Sequence, residues 1–149
     1  MSQLGKTYGE FQIGAKDKSP AVTITDAHII LFASLSGDYN PLHIDEEFAK
    51  KTPFKTRIAH GLLSVSVLSG YLGQLLSGTA IAFLGAHYKF TAPVKIGDTI
   101  HAESEIINKK DVAKYNGGVV TIKMQIKNQR GEVCVDGEAS AMVSNTRLW

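Results

Sequence analysis

The sequence predicts an α+β fold in which an antiparallel sheet wraps around one long central helix. Three observations lead to this expectation: a long uncharged helical segment at residues 60–78, a change to period-two patterning after it, and four strand candidates in the second half of the chain. A chain of 149 residues without a repeat or a linker-like stretch suits one compact unit. We therefore expect a single domain over residues 1–149.

Composition excludes several classes of protein. The formal net charge is only +2 and the basic residues form no dense run, so we expect no nucleic-acid partner. The longest apolar stretch, around residues 62–76, is interrupted by serine and glycine and is too short to cross a bilayer, so we expect no membrane partner. Cys134 is the one cysteine, and the start MSQLGKTYGE lacks the apolar stretch of a secretory signal, which predicts a cytoplasmic protein.

Two helices are predicted before the central one. In TITDAHIILFASLSGD, residues 23–38, Thr25 is a good N-cap, Asp26 suits the positive first turn, and Gly37 is a helix stop. The segment EEFAKK, residues 46–51, predicts a second and shorter helix.

The central helical segment has almost no charged face, so we expect it to be buried nearly all round. Its small residues fall at spacings of three and four and share one stripe: Ser66, Ser69, Gly70, Gly73 and Ser77. Two interpretations are open. The stripe permits close packing of the helix on the sheet, or it leaves a narrow slot for a linear apolar ligand.

Four segments read as strands: residues 80–90, 99–106, 119–128 and 132–143. Apolar and polar residues alternate in the last three, as in half-buried strands. The sequence NQRG at residues 128–131 predicts a tight turn between the last two.

The loop SGDYNPLH, residues 36–43, places two titratable side chains on either side of a turn. The residue before a proline avoids the helical region, so Asn40 and Pro41 predict an extended or turn geometry. Asp38 and His43 can therefore converge, and a carboxylate and an imidazole that share one water form a general acid/base pair. Taken alone, the spacing also fits a turn-capping aspartate and a buried structural histidine.

The segment AHG, residues 59–61, opens the central helix. The first N–H groups of a helix lack internal partners and carry the positive end of its dipole, so Gly61 offers a donor to a thioester or amide oxygen, as in an oxyanion hole. The alternative is that this glycine only lets the helix tuck under the sheet. His60 beside it is interpreted as a brace of the turn, and the remaining histidines as structural, so we expect no metal site.

Three segments resemble the MaoC-like group of (R)-specific enoyl-CoA hydratases and dehydratases: SGDYNPLHID at 36–45, AHGLLSVSVLSG at 59–70, and YKFTAPVKIGDTI at 88–100. The resemblance runs from the first helix to the last strand. It implies a hot dog fold and the reversible addition of water to trans-2-enoyl-CoA, which gives (3R)-3-hydroxyacyl-CoA. Coenzyme A is then part of the substrate, and no cofactor is expected.

The resemblance also implies roles for single residues. Asp38 and His43 become the catalytic pair, and Gly61 becomes the backbone donor to the thioester oxygen. The implied substrate-binding residues are Asn40, which shapes the loop, and Ser69 and Leu72, which line the acyl slot. The sequence does not decide which member of the pair is the base, nor the acyl chain length.

Other functions on the same scaffold remain open. They are a dehydratase of 3-hydroxyacyl-carrier-protein or of a substituted acyl thioester, a non-catalytic acyl-thioester-binding module, and a thioesterase. For assembly, one sheet wrapped on one helix leaves an edge strand and an apolar flank uncovered. A homodimer that joins two sheets edge to edge is therefore expected.

Overall fold

The computed structural model describes residues 5–147, so both ends of the predicted domain lie outside the described residues. The four α-helices within this range are α1 (Asp26–Ser36), α2 (Pro41–Ile44), α3 (Glu46–Ala49) and α4 (Gly61–Leu75). The strands of the same range are β1 (Lys16–Lys18), β2 (Val22–Thr23), β3 (Ala80–Phe90), β4 (Thr99–Val112), β5 (Gly117–Asn128) and β6 (Val133–Ser144).

All strand pairs are antiparallel, and the sheet has the order β1-β4-β5-β6-β3, with β2 also paired to β4. Helix α4 packs on β4 and β5 in the middle of this sheet. The helix supplies Leu63, Leu68 and Leu72 to the core. A long helix held against a curved antiparallel sheet confirms the predicted hot dog fold.

Alternation along the strands explains where the core sits. On β4, Ile100, Ala102 and Ile106 are buried, and Ile106 pairs with Ile122 of β5. Period-two patterning thus predicted these strands, although β4 continues six residues beyond the predicted end at residue 106. On β6 the pattern breaks, because the register shifts between Ile126 and Lys127 and the bulge turns Cys134 inward next to buried Val135.

Two short strands and one short helix are absent from the sequence-based expectation. Strand β1 is exposed along its whole length and has no apolar face, so periodicity gives it no signal. Strand β2 has only two residues. Helix α2 is a single turn that begins at Pro41, directly after the extended Asn40. The second predicted helix, residues 46–51, is present but ends at Ala49.

The expectation that the central helix is buried nearly all round is wrong for the single chain. Leu62 of α4 is 64% exposed, and the stripe of small residues lies on the open side of the helix. A Cβ added at Gly70 or Gly73 would meet no atom within 4 Å, so these glycines do not serve close packing on the sheet. The sheet covers only one side of α4. Within residues 5–147, no helix combines the length and the apolar character that a membrane span requires.

Strand β3 forms one edge of the sheet and is exposed over nearly all of its eleven residues. Large apolar side chains are among them: Ile81, Phe83 and Leu84 are 37%, 60% and 52% exposed. We call β3 and the open side of α4 the uncovered flank. An apolar edge strand of this length can pair with another strand.

Candidate active site

The loop that carries Asp38 begins where α1 ends. Thr25 is the N-cap, as predicted, and its backbone N–H donates to the ring Nδ1 of His28 at 3.0 Å. At the other end, Gly37 adopts a left-handed conformation with φ of 77°, and its N–H donates to Ala33. Glycine takes this conformation without the steric cost that other residues meet. This conformation ends α1, so Asp38 lies in the loop directly after the helix.

The proline turn then directs His43 inward. Asn40 has φ of −54° and ψ of 130°, the extended geometry expected before a proline, and its Oδ1 accepts from the N–H of Leu42 at 3.0 Å. Pro41 occupies the first helical position, where its missing N–H costs nothing. Asn40 therefore shapes the loop as the N-cap of α2, and one helical turn leaves His43 only 8% exposed.

Residues 58–60 form the floor of the site. Ile58 makes an isolated β-bridge with Lys95, and the N–H of Ala59 donates to the carbonyl of Val94 at 2.8 Å. These bonds tie the segment to the loop that precedes β4. The floor is therefore held by backbone pairing.

Arg57 anchors the same segment from the other side. Its guanidinium bonds to Asp26 at the start of α1 at 2.7 Å and to Glu46 at the start of α3 at 3.3 Å. The hydrogen bond with Asp26 raises the pKa of Arg57, although burial opposes the rise. Arg57 thus holds α1 and α3 in place around the site.

The two predicted side chains come together, and a third joins them. One carboxylate oxygen of Asp38, one ring nitrogen of His43 and one ring nitrogen of His60 all lie within 4.8 Å of one another. Two ordinary hydrogen bonds of about 2.8 Å through one water span such a gap. The interpretation of His60 as only a brace of the turn is therefore incomplete, because its ring also lies beside the side chains of Asp38 and His43.

The hydrogen bond of His43 determines its tautomer. Its Nδ1 lies 2.8 Å from the carbonyl oxygen of Ile58, which can only accept, so Nδ1 carries the hydrogen. Nε2 of the neutral ring then has a lone pair and is able to take a proton. Any proton that His43 accepts in this arrangement therefore binds at Nε2.

Asp38 is held by local bonds and remains accessible. Its backbone N–H donates to the hydroxyl of Ser36, and its Oδ1 accepts from the N–H of Asn40, both at 3.2 Å. Its other carboxylate oxygen meets no donor within residues 5–147. Asp38 is exposed, so this oxygen can bind water or substrate.

Gly61 combines both of the properties considered for it. It is the first residue of α4, so its N–H has no acceptor inside the helix. A Cβ at this position would also lie only 2.7 Å from Cε1 of Phe90. The glycine therefore admits the Phe90 ring and keeps a free helix-end donor beside it.

The acid/base residues and the helix end share a pocket of about 740 Å³, which Asp38, His43, His60 and Gly61 line together. Its other walls are largely apolar and come from Phe90 at the end of β3, from the loop after β3, and from residues of α1 and β6. Cys134 also reaches this pocket, and burial raises the pKa of its thiol, so the thiol stays protonated near neutral pH.

Ser69 and Leu72 line a second, apolar pocket of about 420 Å³ rather than the first one. It follows the first pocket along the same two elements. The first pocket touches α4 at residues 61–64 and β3 at Phe90, and the second touches α4 from Val65 onward and β3 from Tyr88 backward. The predicted site residues thus divide between two pockets: Asp38, His43 and Gly61 line the first, Ser69 and Leu72 line the second, and Asn40 lines neither.

Comparison with known proteins agrees with this fold and identifies relatives of the chain. Residues 10–128 match the model of the MaoC like domain family. The chain is 42% identical over 125 residues to the (R)-specific enoyl-CoA hydratase of Rhodospirillum rubrum, which covers 84% of this chain and 83% of the relative. It is 40% identical over 113 residues to the (R)-specific enoyl-CoA hydratase of Aeromonas caviae, covering 76% and 81%.

A solved structure shows the same relationship. The R-hydratase PhaJ1 from Pseudomonas aeruginosa, in the unliganded form, superposes with a TM-score of 0.83 at 38% identity and covers 95% of this chain and 88% of that chain. The chain belongs to the MaoC-like domain family. Its close relatives are hydratases, that is, lyases that act on a carbon–oxygen bond.

Proposed function

We propose that this chain is an (R)-specific enoyl-CoA hydratase, which reversibly adds water to trans-2-enoyl-CoA and gives (3R)-3-hydroxyacyl-CoA. One observation carries the proposal: Asp38 and His43 offer an oxygen and a nitrogen within 4.8 Å, in a pocket that also receives the amino end of α4. The relatives named (R)-specific enoyl-CoA hydratase, at 40% and 42% identity, support it.

The reaction needs three actions, and the pocket has a group for each. Asp38 and His43 hold one water, and one of them takes its proton as the oxygen bonds to C3 of the enoyl group. The electron pair of the C2–C3 double bond moves toward the thioester, and the N–H of Gly61 stabilises the charge on its oxygen. The acid/base pair then gives up the proton that it took, and a proton bonds to C2 on the face that the water attacked.

The second pocket is proposed as the site of the acyl chain. It continues from the acid/base pocket along α4 and β3, and Leu72 and Phe83 give it apolar walls while Ser69 and Gly73 leave it open. A thioester whose oxygen lies at Gly61 would direct its chain along this line. Two residues of the stripe, Ser69 and Gly73, line this pocket, which favours the slot interpretation for that part of the stripe.

The proposed chemistry uses no metal and no cofactor. Asp38, His43 and His60 are residue types that bind divalent ions, but the rings of His43 and His60 stack with centroids 3.8 Å apart and planes 30° from parallel. Each ring already directs one nitrogen to a backbone carbonyl oxygen, Nδ1 of His43 to Ile58 and Nε2 of His60 to Asp38. This geometry favours proton transfer by side chains.

The direct test is to mix the protein with crotonyl-CoA and follow the loss of the conjugated double bond by absorbance. We expect consumption and a (3R)-3-hydroxybutyryl-CoA product. The same reaction is then run on the crotonyl thioester of an acyl carrier protein, which distinguishes an enzyme for coenzyme A thioesters from one for carrier-protein thioesters. We expect the coenzyme A thioester to react faster. Release of free thiol instead of hydration would indicate a thioesterase.

The backbone donor can be tested by a pair of substitutions at one position. Gly61→Pro removes the N–H, and proline suits the first position of a helix; His60, with φ of −57° and ψ of 139°, already has the geometry that precedes proline. We expect kcat to fall by about 10²- to 10³-fold, as for loss of an oxyanion donor. Steady-state kinetics on crotonyl-CoA gives the measurement.

Gly61→Ala is the matched control for this prediction. It introduces the same contact with the exposed ring of Phe90 but keeps the N–H. The ratio of the two kcat values therefore reports the donor alone. Equal rates for the alanine and proline variants would remove Gly61 from the mechanism.

We also propose a homodimer in which two copies meet through the uncovered flank. Its edge strand β3 carries exposed Ile81, Phe83 and Leu84, and the open side of α4 lies beside it. Pairing of β3 with its copy would satisfy edge N–H and carbonyl groups and cover both apolar surfaces. The cytoplasm is the proposed location, since the single cysteine forms no disulfide within the chain.

Leu84→Lys is expected to convert the dimer into a monomer at micromolar concentration, because each copy would place a charged side chain on the apolar edge strand that the proposed interface covers. Leu84 is outside both pockets that contain the predicted site residues. Sedimentation velocity measures the change. Lys89→Arg, on the same strand, preserves charge and should stay dimeric; a monomeric wild-type protein would contradict the proposal.

A further inference from the structure

We infer that His60 is a positioning residue: it fixes the Asp38 carboxylate relative to the His43 imidazole and to the N–H of Gly61. The inference rests on the proposed function, because it assigns the group that aligns the acid/base pair. Four observations carry it: a hydrogen bond, a ring stack, an unpartnered buried nitrogen and a place in the chain directly before Gly61.

The hydrogen bond joins His60 to the loop that carries Asp38. Its Nε2 lies 2.9 Å from the backbone carbonyl oxygen of Asp38. The other hydrogen bonds of residues 37–40 reach partners no more than five positions away in the chain, such as Ser36 and Ser34. Within residues 5–147, the bond to His60 is thus the one hydrogen bond of residues 37–40 whose partner is distant in the chain.

The ring stack joins His60 to the second member of the pair. The rings of His60 and His43 have centroids 3.8 Å apart and planes inclined by 30°. Phe32 of α1 also contacts His60, with a centroid distance of 4.9 Å. His60 is 2% exposed, so this packing restricts the ring and with it the adjacent face of His43.

The unpartnered nitrogen indicates that packing alone does not account for an imidazole here. The carbonyl of Asp38 accepts, so Nε2 carries the hydrogen and Nδ1 does not. Nδ1 is buried and has no hydrogen-bond partner within residues 5–147. A buried polar atom without a partner lowers stability, and a phenyl ring would fill similar space without it. What a phenyl ring cannot supply is the N–H to Asp38.

The chain connection completes the arrangement. His60 is the N-cap of α4, so it directly precedes the residue whose N–H is proposed to bind the thioester oxygen. Two residues earlier, Ile58 accepts the bond from His43. One short segment therefore contacts both members of the acid/base pair and ends at the backbone donor: His60 bonds to the backbone of Asp38 and stacks on the imidazole of His43.

His60→Phe tests the inference, with His60→Gln as the conservative variant. Phenylalanine keeps an aromatic ring beside His43 but has no donor, and glutamine can place an amide N–H near the position of Nε2. We expect H60F to lower kcat by about 10- to 100-fold, as for a displaced catalytic group, with KM changed by less than about threefold and thermal stability unchanged or higher. H60Q should recover kcat to within about fivefold.

A double-mutant cycle with Asp38→Asn makes the test specific. If His60 acts through Asp38, adding H60F to D38N should cost less than about threefold further. If the loss of kcat in the double variant equalled the product of the losses in the two single variants, the inference would be overturned. So would a fully active H60F, or an H60Q as impaired as H60F. If H60F does not fold, His60→Met, which also lacks a donor, takes its place.

Hydrogen exchange separates failure of this inference from failure of the proposed function. In H60F, amide exchange at Tyr39 and Asn40 should rise by about tenfold or more, and in H60Q it should stay near the wild-type rate. Unchanged exchange in H60F overturns the positioning role. A wild-type protein that shows these exchange effects but does not hydrate enoyl-CoA would refute the enzyme assignment while His60 still orders the loop.

Discussion

Replacing Asp38 by asparagine is expected to lower kcat on crotonyl-CoA by about 10²- to 10⁴-fold. Asparagine has nearly the shape of aspartate, and its side-chain oxygen can still accept from the N–H of Asn40, so the loop is preserved. What it loses is the carboxylate that holds the water and exchanges protons. KM should change little, because Asp38 does not bind the acyl chain. Steady-state kinetics measures both constants.

Asp45→Asn is the matched control for this change. Asp45 lies in the same motif, is exposed, and caps α3 by accepting from the N–H of Phe48 at 3.0 Å. Asparagine is an equally good N-cap, so stability should hold, and Asp45 is outside the acid/base pocket. We expect wild-type kinetics for D45N. Full activity in D38N would refute the assignment of Asp38.

Replacing His43 is expected to have an effect of the same order, about 10²- to 10⁴-fold on kcat. His43→Asn is the informative variant, because its amide N–H can replace Nδ1 in the bond to the carbonyl of Ile58 while nothing replaces Nε2. His43→Ala removes both the bond and the base. If Nε2 carries the chemistry, the two variants should be similarly inactive, although only H43A should lose stability.

His101→Asn serves as the control for the histidine. His101 lies on β4, outside the pocket, and bonds to Glu103 at 3.1 Å. Its replacement should leave kcat unchanged. Activity retained in H43N but lost in H43A would contradict the proposed role, because it would show that His43 acts by holding Ile58 rather than by proton transfer.

Local chemistry explains why much of the fold was predictable. Thr25 and Gly37 mark the two ends of α1, and both ends were predictable because capping depends on a few neighbouring residues. Strands β4 and β5 alternate because one face of each lies in the core, as at Ile100 and Ile122. The approach of Asp38 to His43 follows from a five-residue turn around Pro41. Each of these signals is contained within one segment.

The features that sequence missed depend on contacts between distant segments. A polar edge strand such as β1 has no apolar face to detect, and the inward turn of Cys134 follows from a register shift against β5. Apolarity of α4 indicates burial but not what covers it, so its open side was unexpected. His60 reaches Asp38 across 22 positions, and its place beside Gly61 was the only signal.

The central claim, that one water held by Asp38 and His43 adds across the double bond, is tested most directly by hydration of crotonyl-CoA in D₂O. NMR of the product gives the relative configuration at C2 and C3, and oxidation by a stereospecific 3-hydroxyacyl-CoA dehydrogenase gives the absolute configuration at C3. Because the same pair of residues handles the water and the returned proton, the account predicts a (3R) product with deuterium at C2 on the face that bears the new hydroxyl. Deuterium on the opposite face, a (3S) product, or no hydration would contradict it.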